Sequence, residues 1–319
     1  MRKKTSFIAV LVAVIIVVCV GALVIVFNPF NKSPESTSNL LPSGNSPEWV
    51  VKLTGSVAQE KTFTLQDLTQ MPLSNVTTKD NSTTYIGVSL FDFCNQSNMN
   101  WDAGYVQVIG ENDNSTIINL YQAWNSTKEE WYYYKYNIIL LAFVKNGQWM
   151  TNQTDGGSVK LITPHFNESY QIRSVSQISI KPWTITITGK VANPITLTAA
   201  NMSRIQSTTI NAAVGSSTVA SNWTGILIMD ALNYANVSRY AQQVTLVGID
   251  GKTCLGVSVI GNFTLDEVTA ANMMIGYQQD GKTLTIDHGG PFKSFCPTTV
   301  QPFKFATYWM KWLHEIIVY

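Results

Sequence analysis

From Trp49 onward the sequence runs twice through one order of anchor residues. Trp49, Gly55, Val57, Ala58, Thr62, Thr64 and Leu68 recur, evenly displaced, as Trp183, Gly189, Val191, Ala192, Thr196, Thr198 and Met202. Tyr85-Ile86-Gly87-Val88 with Asp92 recurs as Trp223-Thr224-Gly225-Ile226 with Asp230, and Val106 and Gly110 as Val244 and Gly248. Gly147 recurs as Gly281. Gly156-Gly157, Lys160 and Pro164 recur as Gly289-Gly290, Lys293 and Pro297. Tyr170, Arg173, Val175 and Ile178 recur as Tyr308, Lys311, Leu313 and Ile316. A shared order with small insertions between anchors is the signature of internal duplication. It limits the chain to two similar domains, expected at 48–181 and 182–319.

Each copy reads as mostly strand with a few helices, an α+β class built on sheet. Val50 to Gly55 and Thr184 to Gly189 alternate apolar and polar residues, the period of a half-buried strand. Thr64 to Met71 and Thr198 to Ile205 read as short helices with Thr64 and Thr198 as N-caps. Ser89 to Asn95 and Leu227 to Tyr234 read as amphipathic helices. Val106 to Gly110 and Val244 to Gly248 are expected as buried strands. The alternating runs Gln171 to Ile180 and Met310 to Val318 are expected to close each copy. Asp250-Gly251 and Asp280-Gly281 are hairpin turn signals. Trp49 and Trp183 are read as packing residues.

The N-terminus carries a different signal. Phe7 to Phe27 is an uninterrupted apolar run behind Arg2, Lys3 and Lys4. As a helix it would reach about 31 Å, the thickness of a bilayer core. The positive-inside rule places residues 1–6 in the cytoplasm and everything beyond Phe27 outside. The run is too long for the core of a cleaved signal peptide. A single-pass membrane protein with a signal anchor at 7–27 is therefore expected. The Pro- and Ser-rich stretch 28–47 would be a flexible linker.

The sequons agree with that orientation. Asn-X-Ser/Thr triplets at Asn75, Asn81, Asn114, Asn125, Asn152, Asn167, Asn222, Asn236 and Asn262 are candidate glycosylation sites of an extracytoplasmic glycoprotein. Charged residues are only 13% of the chain, with 21 basic against 20 acidic. No basic field exists to attract nucleic acid. The expected partners are the membrane, through the N-terminal helix, and a cell-surface protein or glycan.

Of the 4 cysteines, Cys19 lies in the apolar run. Cys254 and Cys296 share the second copy, and a disulfide or two buried thiols are both open readings. No Cys/His spacing suits zinc. With 3 histidines, no Gly-x-Ser-x-Gly and no His-Glu-x-x-His, a hydrolase fits poorly. His314 is read as structural. The aromatic run Trp131 to Tyr136 is read as a strand packing between the copies, or as a carbohydrate or protein contact.

The order of features resembles the molybdopterin-binding domain of the sulfite oxidase family. The resemblance rests on the opening Trp-x5-Gly-x-Val, Tyr85 to Leu90, Asn146-Gly147 and Asp155-Gly156-Gly157. It is closer in the second copy, at Asp280-Gly281, Asp287-His288-Gly289-Gly290-Pro291 and Met310-Lys311-Trp312-Leu313. It implies that His288, Gly289, Lys293 and Lys311 help to hold the phosphate and pterin of a molybdenum cofactor. Lys293 stands where that family carries Arg, which keeps the charge and loses the bidentate fork. The family's metal-binding Cys has no counterpart: neither Met71 to Thr84 nor Ile205 to Asn222 contains one. The first copy has Asp155 where the His should stand. The reading is therefore a membrane-anchored, non-catalytic binding or assembly module, with no catalytic or metal-ligating residue assigned and no cofactor expected. The alternative is a molybdopterin-dependent oxidoreductase with the cofactor in the second copy.

Overall fold

The computed structural model describes residues 40–78, 82–127, 138–164, 171–213, 219–251, 262–296 and 310–319. The run 7–27, most of the 28–47 stretch, Trp131 to Tyr136 and Cys254 lie outside the described residues. Among the described residues no helix is long and apolar enough to cross a membrane. Pro42–Tyr319 forms one compact unit.

The protein is a mostly-β α+β fold. The first set of strands is β1 (Val50–Gly55), β2 (Lys61–Thr64), β3 (Leu73–Thr77), β4 (Thr84–Ser89), β5 (Ala103–Ile109), β6 (Ser115–Asn119), β7 (Leu140–Lys145), β8 (Gln148–Trp149), β9 (Lys160–Ile162) and β10 (Gln177–Pro182). It carries the helices α1 (Leu65–Thr69), α2 (Leu90–Asn95), α3 (Leu120–Asn125) and α4 (Asn152–Asp155). The second set is β11 (Ile185–Gly189), β12 (Ile195–Leu197), β13 (Ser207–Ala213), β14 (Ala220–Leu227), β15 (Gln243–Gly248), β16 (Asn262–Thr264), β17 (Met274–Gln279), β18 (Lys282–Thr283), β19 (Lys293–Phe295) and β20 (Leu313–Val318). Its helices are α5 (Ala199–Met202), α6 (Ile228–Tyr234) and α7 (Leu265–Ala270).

The two sets pair alike. One five-stranded sheet runs β2-β1-β10-β5-β6 and another β12-β11-β20-β15-β16. In each, the first and last strands of the set (β1 with β10, β11 with β20) pair in parallel and every other pair is antiparallel. The remaining sheets run β3-β4-β7-β8 with β9 on β7, and β13-β14-β17-β18 with β19 on β17.

Local chemistry explains these elements. Thr64, Thr198 and Thr264 cap α1, α5 and α7 in reciprocal capping boxes with Asp67, Asn201 and Glu267. Each box satisfies two of the amides that a helix start leaves open. Asn146-Gly147 and Asp280-Gly281 take positive φ at both residues and join β7 to β8 and β17 to β18. Two positive φ values in succession give the hairpin turn whose twist matches the strands. Gly87 and Gly225 lie where β4 and β14 shift register against β7 and β17. A Cβ there would stand 2.0 Å and 2.1 Å from the carbonyl oxygens of Leu141 and Ile275. Only a bare Cα allows that approach.

The closing strands begin later than the alternating pattern predicts. β10 starts at Gln177 and β20 at Leu313. Ser174 and Trp312 stand just before them at φ 50° and 52°. That left-handed kink breaks an extended run whose apolar residues are buried all the same. Ile172 and Val175 are buried loop residues, bonded through their backbones to Leu161 and Val159.

The core of the second set gathers around the fully buried Trp183, with Ile185, Ile187, Trp223, Leu246, Phe292, Phe295 and Leu313. The Trp183 indole donates to the Leu313 carbonyl at 2.7 Å, and the half-buried Trp49 donates to that of Val175 at the same distance. His314 is structural, with Nδ1 3.2 Å from the Tyr105 hydroxyl.

Candidate functional site

The site lies where the end of β18, β19 and the start of β20 converge. After β18 the chain makes a 3-10 turn at Ile286–His288, passes Gly289 at φ 88° and a cis Gly290-Pro291 bond, and enters β19. Hydrogen bonds clamp this loop to the segment 310–313. Trp312 N donates to Gly289 O at 2.7 Å, Leu313 N to Phe292 O at 2.9 Å and Ser294 N to Met310 O at 2.8 Å. Met310 N donates to the buried Ser294 hydroxyl at 2.6 Å, and the Trp312 indole to Ile286 O at 2.6 Å. Gly289 is required twice over. Its φ is left-handed, and a Cβ would stand 2.7 Å from Cγ of Lys311. The glycine thus lets the Lys311 stem lie across the turn.

Lys293 leaves β19 with its ammonium 5.7 Å from the Trp223 ring centre, a cation–π distance. Burial and the neighbouring Lys311 push its pKa down to about 8. Lys311 carries its own ammonium 5.7 Å from the Trp312 ring. Two cations in electrostatic contact, one of them largely desolvated, make a place where an anion is favoured over water. His288 is exposed and bonds within its own turn, with Nδ1 2.9 Å from the Thr285 hydroxyl and 3.3 Å from Asp287. The Thr285 hydrogen bond lowers the pKa of Asp287 against opposing burial, and His288 adds to the lowering. Of the residues predicted from sequence, the structure thus brings Gly289, Lys293 and Lys311 together, with His288 on the outer side of the same turn.

The first set has the matching stretch with a different electrostatic content. Lys160 lies 6.0 Å from the Tyr85 ring, and Gly156, at φ 70°, faces the Arg173 stem. Here Asp155 supplies a carboxylate 3.0 Å from Lys145. The hydrogen bond from Lys145 helps to hold Asp155 ionised against its burial, and Asp155 raises the pKa of Lys145.

A metal finds no donor set among the described residues: no three His, Cys, Asp or Glu side chains converge. Cys94 is fully buried in α2, and burial pushes its thiol pKa up, so it is no ready thiolate. Cys296 is buried at the end of β19; Cys254, the other cysteine of the second copy, lies outside the described residues. Asn75, Asn114, Asn125, Asn152, Asn222 and Asn236 are all exposed, while Asn81, Asn167 and the Asn262 side chain are not described.

Sequence reasoning missed the aromatic brace behind the loop. Tyr121 and Trp124 on α3 contact Trp312 at 4.4 and 6.0 Å, and Trp101 contacts Tyr277 and Phe292 at 5.8 and 5.7 Å. It also missed Trp223 as the platform for Lys293. The repeat had marked Trp223 as the partner of Tyr85, and a ring in register with a lysine in both halves was the available clue.

A family model described as the oxidoreductase molybdopterin binding domain matches residues 172–319. The chain contains a domain of this type in its second half. The NADPH nitrate reductase of Pichia angusta is 24% identical over 199 residues, which is 53% of this chain and 22% of that enzyme. The chain therefore spans about a fifth of that relative's length. The sulfane dehydrogenase SoxCD from Paracoccus pantotrophus aligns over 77% of this chain and 74% of its own, with 12% identity and a TM-score of 0.34.

Proposed function

We propose that this chain is a binding module in which the second of two duplicated molybdopterin-type domains holds a phosphate-bearing, pterin-like ligand without molybdenum turnover. The observation that carries the reading is the pair Lys293 and Lys311, set against the missing thiolate. The pair and the Gly289 turn suit a phosphate, which takes charge-assisted hydrogen bonds from ammonium groups. The metal end of a molybdenum cofactor is not matched. The segments 71–84 and 205–222, where the resembling family keeps its Cys ligand, have none. Duplication is supported by the common strand order and by positive φ at equally displaced positions, such as Asn98 with Asn236 and Ser174 with Trp312. The first domain's own carboxylate, Asp155, occupies the place of His288 and favours one ligand per chain.

Full-length chain purified from a molybdenum-replete host is expected to carry no stoichiometric molybdenum. It is expected to bind inorganic phosphate, with Lys311→Ala weakening that binding about tenfold, the size of one charge-assisted hydrogen bond. Stoichiometric molybdenum with pterin would overturn the non-catalytic reading in favour of a molybdopterin-dependent oxidoreductase. That second reading is favoured by the family match over 172–319.

The module is proposed to face the outside of a membrane, anchored by 7–27. The apolar run, its basic flank and the exposed sequons support this. Alkaline carbonate extraction is expected to leave the chain in the membrane fraction, and deglycosylation to increase its mobility. Release by carbonate would sink the anchor.

A further inference from the structure

The Asp287 loop has a second side. A cavity of about 510 Å³ opens there, away from the lysine pair. Small-molecule sites commonly measure roughly 300–1,000 Å³. One wall comes from the first strand set, through the end of α2, the loop that follows it, and α3. The other comes from the stretch between β18 and Pro291. Neither Lys293 nor Lys311 lines it, so it is separate from the proposed phosphate site.

The chemistry of the walls is specific. Asp287 is the ionisable side chain among the described lining residues, and its carboxyl is held below the usual carboxylate range. An anion would meet repulsion. Asn95, Asn98 and Asn100 supply amides from the opposite wall. The side chains of Asn95 and Asn98 make no hydrogen bond with the described residues, and Asn100 makes one, to Ser56 Oγ at 3.3 Å. Each amide offers a donor and an acceptor side by side, the complement of adjacent hydroxyl groups, which also both give and take. Two indoles complete the walls. Trp101 is 40% exposed although Tyr277 and Phe292 brace it, and Trp124 is braced by Tyr121 and Trp312. Rings fixed in advance present an apolar face at little entropic cost.

We propose that this cavity binds a short neutral oligosaccharide, its C–H face against an indole and its hydroxyls on the three asparagines and Asp287. An organic cation would use the carboxylate and the rings but leave the amides without a role, so the sugar accounts for more of the wall.

The test uses the full-length chain in a detergent that carries no sugar. Tryptophan fluorescence and calorimetry are followed during titration with maltotriose, cellotriose, chitotriose and mannotriose, and with sialyllactose and tetramethylammonium as charged probes. Saturable binding of at least one neutral trisaccharide is expected, with neither charged probe competing. Trp101→Ala should weaken it by about tenfold or more, and Asn95→Ala by about threefold to tenfold, as for the loss of one hydrogen-bonding group. Tyr240→Ala, which removes an aromatic ring 66% exposed elsewhere, should change nothing. If Trp101→Ala fails to fold, Asn95→Ala decides, because that side chain is exposed at a helix end; wild type and Asn95→Ala are then both made in a host without N-glycosylation, since Asn95-Gln96-Ser97 is a sequon. The proposal is overturned if no neutral trisaccharide binds, if tetramethylammonium binds in their place, or if Asn95→Ala binds as wild type. Phosphate binding is scored separately, so either site can fail alone.

Discussion

Trp183→Ala is expected to destabilise the protein by about 4–5 kcal/mol, the upper end of what a buried Trp truncation costs. Three observations set that size. The side chain is fully buried at the centre of the second core. Its indole donates to the Leu313 carbonyl at 2.7 Å, so truncation leaves a cavity and a buried acceptor without its donor. Its backbone amide donates to Asp102 O at 2.6 Å, and a Cβ on Gly104 would come within 2.4 Å of its Cα. Trp183 therefore ties the end of the first strand set to the core of the second, and neighbouring backbone is too close to collapse freely into the void. Trp183→Phe retains most of the volume and loses the bond, so about 1–3 kcal/mol is expected. Trp49 makes the corresponding bond to Val175 but is only half-buried, and Trp49→Ala should cost less than Trp183→Ala. Urea denaturation of the three variants checks the ranking. Equal losses at Trp49 and Trp183 would show that the linking role is absent.

Much of this architecture was legible because it depends on local signals. Thr64 and Thr198 are caps because a hydroxyl followed three residues later by Asp or Asn reads as a helix start in sequence and in space. Asp280-Gly281 is a hairpin because few other residue pairs accept two positive φ values. The matched anchors Gly55 and Gly189 fall at the ends of matched strands for one steric reason: both lie against a carbonyl of the parallel partner strand. What was hidden is non-local. The Ser174 and Trp312 kinks leave no residue signature, since neither is a glycine or asparagine. The Lys293–Trp223 contact depends on how β14, β17 and β19 register. The cavity is built from two stretches far apart in sequence, and no pattern in either one announces it.

Lys293→Met is expected to make the protein more stable at pH 7 and to abolish its response to phosphate. The ordinary lysine pKa is about 10.4, and in the folded protein burial and Lys311 bring Lys293 to about 8. Below pH 8 both folded and unfolded chains hold the proton, and folding bears the desolvation of Lys293 and its repulsion with Lys311. Between about 8 and 10.4 the unfolded chain binds the proton and the folded chain does not. Stability therefore rises with pH across that window. The cost at pH 7 is about 1–3 kcal/mol, the full shift reduced for the part of the side chain that water still reaches. Raised pKa values act in the other direction, that of Cys94 within the same window and the others at higher pH. Lys145 is raised by its bond to Asp155, and Tyr105 and Tyr121 are raised by burial. The lysine and tyrosine effects set in near and above pH 10, but the buried Cys94 thiol costs stability from about pH 8.5, the ordinary thiol value, so Lys293 is isolated by the difference between wild type and Lys293→Met in how urea midpoints shift from pH 7 to 9.5. Wild type should gain stability relative to Lys293→Met over that interval. A bound phosphate would offset the repulsion between Lys293 and Lys311 and draw the proton back. With saturating phosphate at pH 7 the order of stabilities should therefore narrow or reverse. A variant that is less stable than wild type at pH 7 without phosphate, with the same pH slope, would show that Lys293 is a compensated structural cation. The loop at Gly289 would then lose its reason to be an anion site.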